Sequence, residues 1–177
     1  FFAALSLRLS SAALTHWYRS FGFGAPAEGL GSGANPGRVH IPEEAAGKAR
    51  AALGEATILV TPAQMLLAYS GIASQGKVFH LWTRTRRPRK KAEPPRELGL
   101  GRETLATLSA ALEECVRTGS GQGAAVPGIR VAGKTGTATA LDGSGATHAW
   151  FVGYAPVEKP EIALVVFLER GTGARGA

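Results

Sequence analysis

With 177 residues, 45% of them hydrophobic, and a net charge of +7, the chain is long enough to bury one domain-sized core and has the composition of a folded protein. A single cysteine, Cys115, excludes an internal disulfide framework and a cysteine-rich zinc site. No apolar run reaches membrane-spanning length, no charged-then-apolar leader opens the chain, and no repeat at solenoid spacing is visible.

The first residue is Phe rather than Met and lies within an apolar pattern, so the sequence reads as a fragment of a longer protein. Phe2, Leu5, Leu9 and Ala12 recur at helical spacing, and Leu7, Leu14 and Tyr18 widen the stripe. The spacing predicts one amphipathic helix over 2–19, stopped by Phe21-Gly22-Phe23-Gly24. Residues 25–46 are rich in Gly, Pro and Ala and read as an ordered surface connection. A second helix has a clear start: Thr61 can cap, Pro62 suits the first helical position, and Gln64 completes a Thr-x-x-Gln capping box. Met65, Leu66, Tyr69 and Ile72 give its buried face and Gly76 its end.

An extended run over 77–82 leads into a concentrated charge run of Arg84, Arg86, Arg87, Arg89, Lys90 and Lys91, broken by Pro88, Pro94 and Pro95. The run reads as a solvated loop, and without interleaved aromatic residues it offers no stacking platform, so no nucleic-acid partner is expected. A third helix over 103–117 carries Leu105, Leu108 and Leu112 on one face and stops at Gly119. The period then changes to that of strands over 129–139, 148–154 and 161–168. The connections, Asp142-Gly143-Ser144-Gly145 and the stretch from Pro156 to Pro160, are too short for a crossover helix, which predicts an antiparallel meander. The run over 161–168 is apolar on both faces, the pattern of a central, doubly covered strand. Helices followed by antiparallel strands give an α+β class.

Gly133-Lys134-Thr135-Gly136-Thr137 falls on the first of these strands. It offers a cation, two hydroxyls and a glycine that lets backbone approach a ligand. A strand-edge lysine can bind a carboxylate or lower the pKa of a neighbouring hydroxyl; threonine hydroxyls can hold an anion, and a strand-edge amide can stabilise an oxyanion. Strict alternation places Lys134 opposite Thr135 and Thr137, so the three converge only if the cleft runs along the strand's edge. Gly128 to Thr135 also spells the phosphate-loop pattern G-x-x-x-x-G-K-[ST]. That pattern needs a strand before it, a loop across it and a helix after it; here Gly119 to Gly123 precede, Ile129 and Val131 occupy the loop, and Thr137 and Thr139 continue a strand. Nucleotide binding is therefore not expected. Four histidines, His16, His40, His80 and His148, are scattered without ligand spacing, Asp142 and Glu169 have no partner carboxylate, and neither a metal nor a cofactor is expected.

The Lys-Thr-Gly triplet has a wider setting. The stretches Cys115 to Gly123, Val131 to Ala138, His148 to Pro156 and Pro160 to Glu169, with Phe21 to Gly24 and Val60 to Met65 earlier, resemble penicillin-binding transpeptidases in order and spacing. The resemblance covers nearly the whole chain and is weakest at the basic stretch. It implies the C-terminal portion of a single transpeptidase domain over 1–177, truncated at both ends: a helix and connecting segment over 1–60, a helical part with a basic loop at 83–97 over 61–119, and the active-site strand with its meander over 120–177. The fold implied is an incomplete penicillin-binding transpeptidase fold.

In such enzymes a serine attacks the D-alanyl-D-alanine end of a cell-wall stem peptide, and the acyl-enzyme passes to an amine on a neighbouring strand; β-lactams mimic the donor. By resemblance, Lys134 lines the cleft and helps position protons, the hydroxyls of Thr135 and Thr137 hold the donor carboxylate, the Thr137 amide forms part of the oxyanion hole, and Gly136 keeps the edge open. The implied partners are peptidoglycan stem peptide, β-lactam antibiotics and the cell-wall synthesis machinery, and the implied location is the extracytoplasmic face of the membrane. The nucleophile is expected upstream. Ser74-Gln75-Gly76-Lys77 spells S-x-x-K, but at a helix end with Gly76 interrupting the turn, and no S-x-N triplet occurs. A catalytically inactive scaffold of the same fold is the competing expectation.

Overall fold

A computed structural model describes residues 1–31, 33–55, 57–81 and 94–171. The chain forms two compact units, Phe1–Gln64 with His80–Glu93, and Met65–Phe79 with Pro94–Ala177.

The first unit contains α1 (Phe2–Ser6), α2 (Ser11–Ser20), β1 (Arg38–Val39), α3 (Ala45–Ala52), β2 (Ile58–Leu59) and the opening turn of α4 (Pro62–Ala73). The single helix expected over 2–19 is thus two. Ser10 adopts an extended conformation and its hydroxyl accepts from the Ala13 amide at 3.1 Å, capping α2. Leucines at helical spacing run through the break because a serine side chain can offer the backbone an alternative to the next helical bond. Within the segment read as irregular, β1 pairs antiparallel with β2 and α3 begins. Two-residue strands carry no period, and α3, with the sequence AAGKARAA, has little apolar contrast and buries only Ala51.

Ile41, Ala51 and Ile58 form the core of this unit, with Leu14, Tyr18, Val39 and Val60 packed against them. The Tyr18 hydroxyl donates to the Ala51 carbonyl at 2.7 Å, and burial pushes its phenol pKa up. The expected capping box forms: the Gln64 amide donates to Thr61 Oγ1 at 3.2 Å while the Thr61 amide donates to Gln64 Oε1 at 2.8 Å. Gln64 is fully buried, and its Nε2 donates to the carbonyls of Ala25 at 2.7 Å and Pro36 at 2.8 Å.

In the second unit, β3 (Lys77–Val78) pairs antiparallel with β4 (Arg96–Glu97), followed by α5 (Arg102–Arg117). Of the extended run expected over 77–82, the described residues 77–81 hold strand at Lys77 and Val78, and two residues assigned to the basic loop, Arg96 and Glu97, pair with them. The basic run from Arg84 to Lys91 lies outside the described residues. α5 begins one residue before its expected start, buries Leu105 and Val116, and carries Glu103 in its first turn and Arg117 in its last, matching the helix dipole.

Three strands complete the unit: β5 (Ala132–Thr139), β6 (Thr147–Ala155) and β7 (Ile162–Leu168), in the order β5-β6-β7 with both pairs antiparallel. This is the expected meander, and with the helices it makes an α+β fold. The first strand starts at Ala132 rather than at residue 129, since Ile129 forms a bridge to Val126 around a turn with Gly128 at φ 77°. Among the described residues the apolar run read as a central strand pairs with β6 on one side, and Ile162, Leu164, Val166, Phe167 and Leu168 of β7 are exposed. An apolar run reports that both faces suit burial and does not name the neighbour. Val152 and Tyr154 of β6 and Ala132 of β5 are buried, as are Leu105 and Val116 of α5, which packs against β5. Among the described residues no helix is long and apolar enough to cross a membrane.

Candidate active site

In β5, Lys134 and Gly136 stand opposite Val152 and Trp150, while Thr135 and Thr137 stand opposite Phe151 and Ala149. Cross-strand partners share a face, so the lysine and the two threonines point to opposite sides of the sheet. Two features bring the lysine to the Thr135 backbone. Among the described residues β5 has a strand neighbour on one side only, and the Lys134 side chain folds along the strand so that Nζ donates to the Thr135 carbonyl at 2.7 Å. The ammonium and the Thr135 backbone thereby meet at the rim. Thr137 lies two residues further along the Thr135 face and is exposed.

Gly133 is demanded by packing: the Phe151 ring lies over it, and a Cβ there would sit 2.4 Å from Phe151 Cζ. Gly136 differs. A Cβ there would meet Trp150 Cβ at 3.4 Å, an ordinary contact, so packing does not require glycine at this position.

Ser120 is a neighbour of the candidate site that sequence reasoning missed. It follows α5 and brings its Oγ to 2.5 Å from Thr135 Oγ1, with Cys115 Sγ 3.7 Å away. The available signal was a small hydroxyl residue between two glycines, Gly119 and Gly121, just past a helix stop.

An exposed ion cluster anchors the entrance to β5. Arg130 holds Glu113 of α5 through two bonds of 2.5 and 2.6 Å and Glu158, in the β6–β7 connection, through one of 2.7 Å. The Arg130 hydrogen bonds hold the Glu113 carboxyl below its ordinary value of 4.5, and the same bonds raise Arg130. Further in, the Tyr154 hydroxyl lies 2.6 Å from Ser109 Oγ of α5, and burial raises Tyr154. Tyr69 of α4 is pushed up to about 12, first by burial and then by Cys115 and Tyr154 nearby. Both phenols are neutral at physiological pH. A depressed carboxyl stabilises the fold above its unfolded pKa and loses that contribution as pH falls through the folded value. Glu113→Gln is therefore expected to lower the thermal midpoint at pH 7, with the gap to the unaltered protein closing progressively below 4.5; a gap of constant size in a pH series of melting curves would contradict this.

The alternative sites named from sequence do not assemble. Lys134 sits within a strand that continues to Thr139, so no helix N-terminus follows the phosphate-loop pattern. Ser74 lies just past α4, Gln75 and Gly76 take positive φ values of 55° and 92°, and Lys77 belongs to β3, so Ser74 and Lys77 do not share a helical turn. His148 is the second residue of β6, opposite Ala138; its Nδ1 accepts from the Arg170 amide at 3.4 Å and its ring lies 5.3 Å from Phe167. Asp142 accepts from the Ser144 amide at 2.9 Å and hydroxyl at 2.5 Å within its turn, bonds that lower its pKa. Among the described residues no group of three His, Cys, Asp or Glu side chains is placed to hold a metal ion.

The family model of the penicillin binding protein transpeptidase domain matches residues 1–177. A probable peptidoglycan D,D-transpeptidase, PbpC of Pseudomonas aeruginosa, is 31% identical over 159 residues, covering 85% of this chain and 27% of that protein. Stage V sporulation protein D of Bacillus subtilis is 30% identical over 191 residues, 97% of this chain and 29% of that protein. The chain thus spans under a third of the length of these curated relatives. Among solved structures, a penicillin G acyl-enzyme complex of penicillin-binding protein A from Mycobacterium tuberculosis superposes with a TM-score of 0.80 at 20% identity, over 99% of this chain and 41% of that one, a likeness of fold. A match that runs the whole length of the chain, with Lys134 on the outer strand of the same fold, settles its kinship: the chain belongs to the penicillin-binding protein transpeptidase domain family.

Proposed function

We propose that the protein carrying this chain is a peptidoglycan D,D-transpeptidase that works through a serine acyl-enzyme, the serine being supplied by sequence upstream of residue 1. The chain itself is the C-terminal portion of that single domain. The observation that carries the reading is the rim of β5, where the Lys134 ammonium lies against the Thr135 carbonyl and the Thr135 hydroxyl faces a second hydroxyl.

In this reading a stem peptide ending in D-alanyl-D-alanine lies along β5. Thr135 and Thr137 hydroxyls donate to its terminal carboxylate, and the Thr137 amide supports the oxyanion of the tetrahedral intermediate. Lys134 holds positive charge beside the point where the serine proton and the developing anion are handled. The serine oxygen attacks the penultimate carbonyl, the last D-alanine leaves with the proton as a neutral amine, and an amine from a neighbouring strand then takes the acyl group. Gly136, which packing does not require, keeps the rim low enough for the peptide backbone to approach. β-Lactams enter as donor mimics. Action on peptidoglycan places the site on the extracytoplasmic face, alongside the cell-wall synthesis machinery. The intact Lys134 to Thr137 run gives no support to an inactive scaffold.

A fluorescent penicillin is expected to label the full-length protein covalently, and replacing the serine of its upstream S-x-x-K is expected to abolish the label. Full-length protein that stays unlabelled despite intact upstream motifs would overturn the reading. The two threonines are separable. Thr135→Val is expected to weaken carboxylate recognition by about tenfold. Thr137→Val keeps the backbone donor and should raise KM for a D-alanyl-D-alanine peptide with little loss of kcat. Steady-state release of D-alanine reads both.

A further inference from the structure

The site residues expected from the sequence all lie on β5, and the structure adds one hydroxyl from outside the sheet. We propose that Ser120 is a positioning residue for substrate recognition: it donates its hydroxyl proton to Thr135 Oγ1, so that Thr135 turns its own proton toward a substrate carboxylate. The inference rests on the transpeptidase reading and extends it to a residue that this reading does not need.

Proton counting sets the direction. A hydroxyl has one proton and two lone pairs. If Thr135 donates to a carboxylate, any neighbouring hydroxyl at 2.5 Å must be the donor to it, and Ser120 stands at that distance. The hydrogen bond found for Lys134 Nζ goes to the Thr135 carbonyl, and the partner found for Thr135 Oγ1 is Ser120. On the far side, Cys115 Sγ lies 3.7 Å from Ser120 Oγ and can donate its S–H. The chain then runs from thiol to Ser120 to Thr135 to carboxylate, each bond polarising the next toward the anion. No proton changes owner.

Backbone, rather than side-chain packing, fixes Ser120. The Cys115 carbonyl at the end of α5 accepts from the Gly119 amide at 3.1 Å and from the Gly121 amide at 3.0 Å. A Cβ at Gly119 would lie 2.9 Å from that carbonyl oxygen, and one at Gly121 would lie 3.1 Å from it. The turn is wound onto the helix end too tightly for a side chain at 119 and leaves little room for one at 121. Ser120 itself is exposed, so the turn presents its hydroxyl to the rim of β5.

The test compares two probes on the full-length protein: a fluorescent penicillin with its free carboxylate and the methyl ester of the same compound. Ser120→Ala is expected to lower the second-order acylation rate with the acid about five- to tenfold, through weaker binding before the chemical step, and to leave the ester rate within about twofold. Ser120→Thr is expected to restore the acid rate. A variant that merely loosened the turn would slow both probes alike; that result, or an unchanged acid rate, overturns the inference. Should Ser120→Ala fail to fold, Ser120→Cys keeps the side-chain shape, weakens the donor and carries the same comparison. An unaltered protein acylated by neither probe would overturn the transpeptidase reading and this inference with it, an outcome distinct from a change on substitution.

Discussion

Lys134→Ala is expected to slow acylation of the full-length protein by a fluorescent penicillin about a hundred- to ten-thousandfold, while its unfolding free energy changes by less than about 1 kcal/mol. The disparity follows from where the side chain sits. Lys134 is exposed, and the hydrogen bond found for it goes to the carbonyl of the next residue, so little of the fold depends on it. The same position puts a full positive charge at the rim of the strand, where acyl transfer must develop an anion and move a proton. Lys134→Arg is not a rescue, because a planar guanidinium replaces a compact ammonium and cannot turn into the Thr135 carbonyl in the same way. It should recover only part of the rate. Acylation kinetics and a melting curve on the same preparations check both halves. An acylation rate within about threefold of the unaltered protein would remove Lys134 from the chemistry.

The parts of the fold legible in the sequence are those with a long period or a stereochemical signature. α5 and the three strands of the meander were readable from leucine spacing, β-branched runs and short connections, and the Thr61–Gln64 capping box from a single tetrapeptide. What escaped is short or decided at a distance. β1 and β2 are two residues each and exist because they pair with each other, and the break before α2 is made by one Ser10 hydroxyl. That β7 pairs with β6 among the described residues could not be read from the run alone, because an apolar run does not say which strand will be its neighbour. At the site, the Lys134 to Thr137 run was visible as a motif and its alternation as a difficulty. The solution, an ammonium laid along an outer strand, needed the sheet order. Ser120 needed a tertiary contact spanning fifteen residues, which no local pattern encodes.

Gln64→Ala is expected to cost about 2–4 kcal/mol of stability in urea unfolding, a large effect for a polar residue. Gln64 is fully buried and works in both directions. Its Oε1 accepts from the Thr61 amide and hydroxyl at 2.8 and 3.2 Å, holding the start of α4, and its Nε2 donates to the Ala25 and Pro36 carbonyls at 2.7 and 2.8 Å. Those carbonyls belong to a segment with little secondary structure of its own, so the amide does work that a strand ladder would do elsewhere. Substitution by Ala removes acceptor and donors together. Gln64→Glu separates them: the carboxylate can still accept from Thr61, but it faces two carbonyl oxygens with no proton to offer and must lose its hydration to do so. The Glu variant is therefore expected to be at least as unstable as the Ala variant near neutral pH, and to recover as pH falls and the carboxyl is protonated. Were the acceptor role dominant, Glu would instead resemble the unaltered protein at pH 7, and the stapling of residues 25–36 by the Gln64 amide would carry little of the stability.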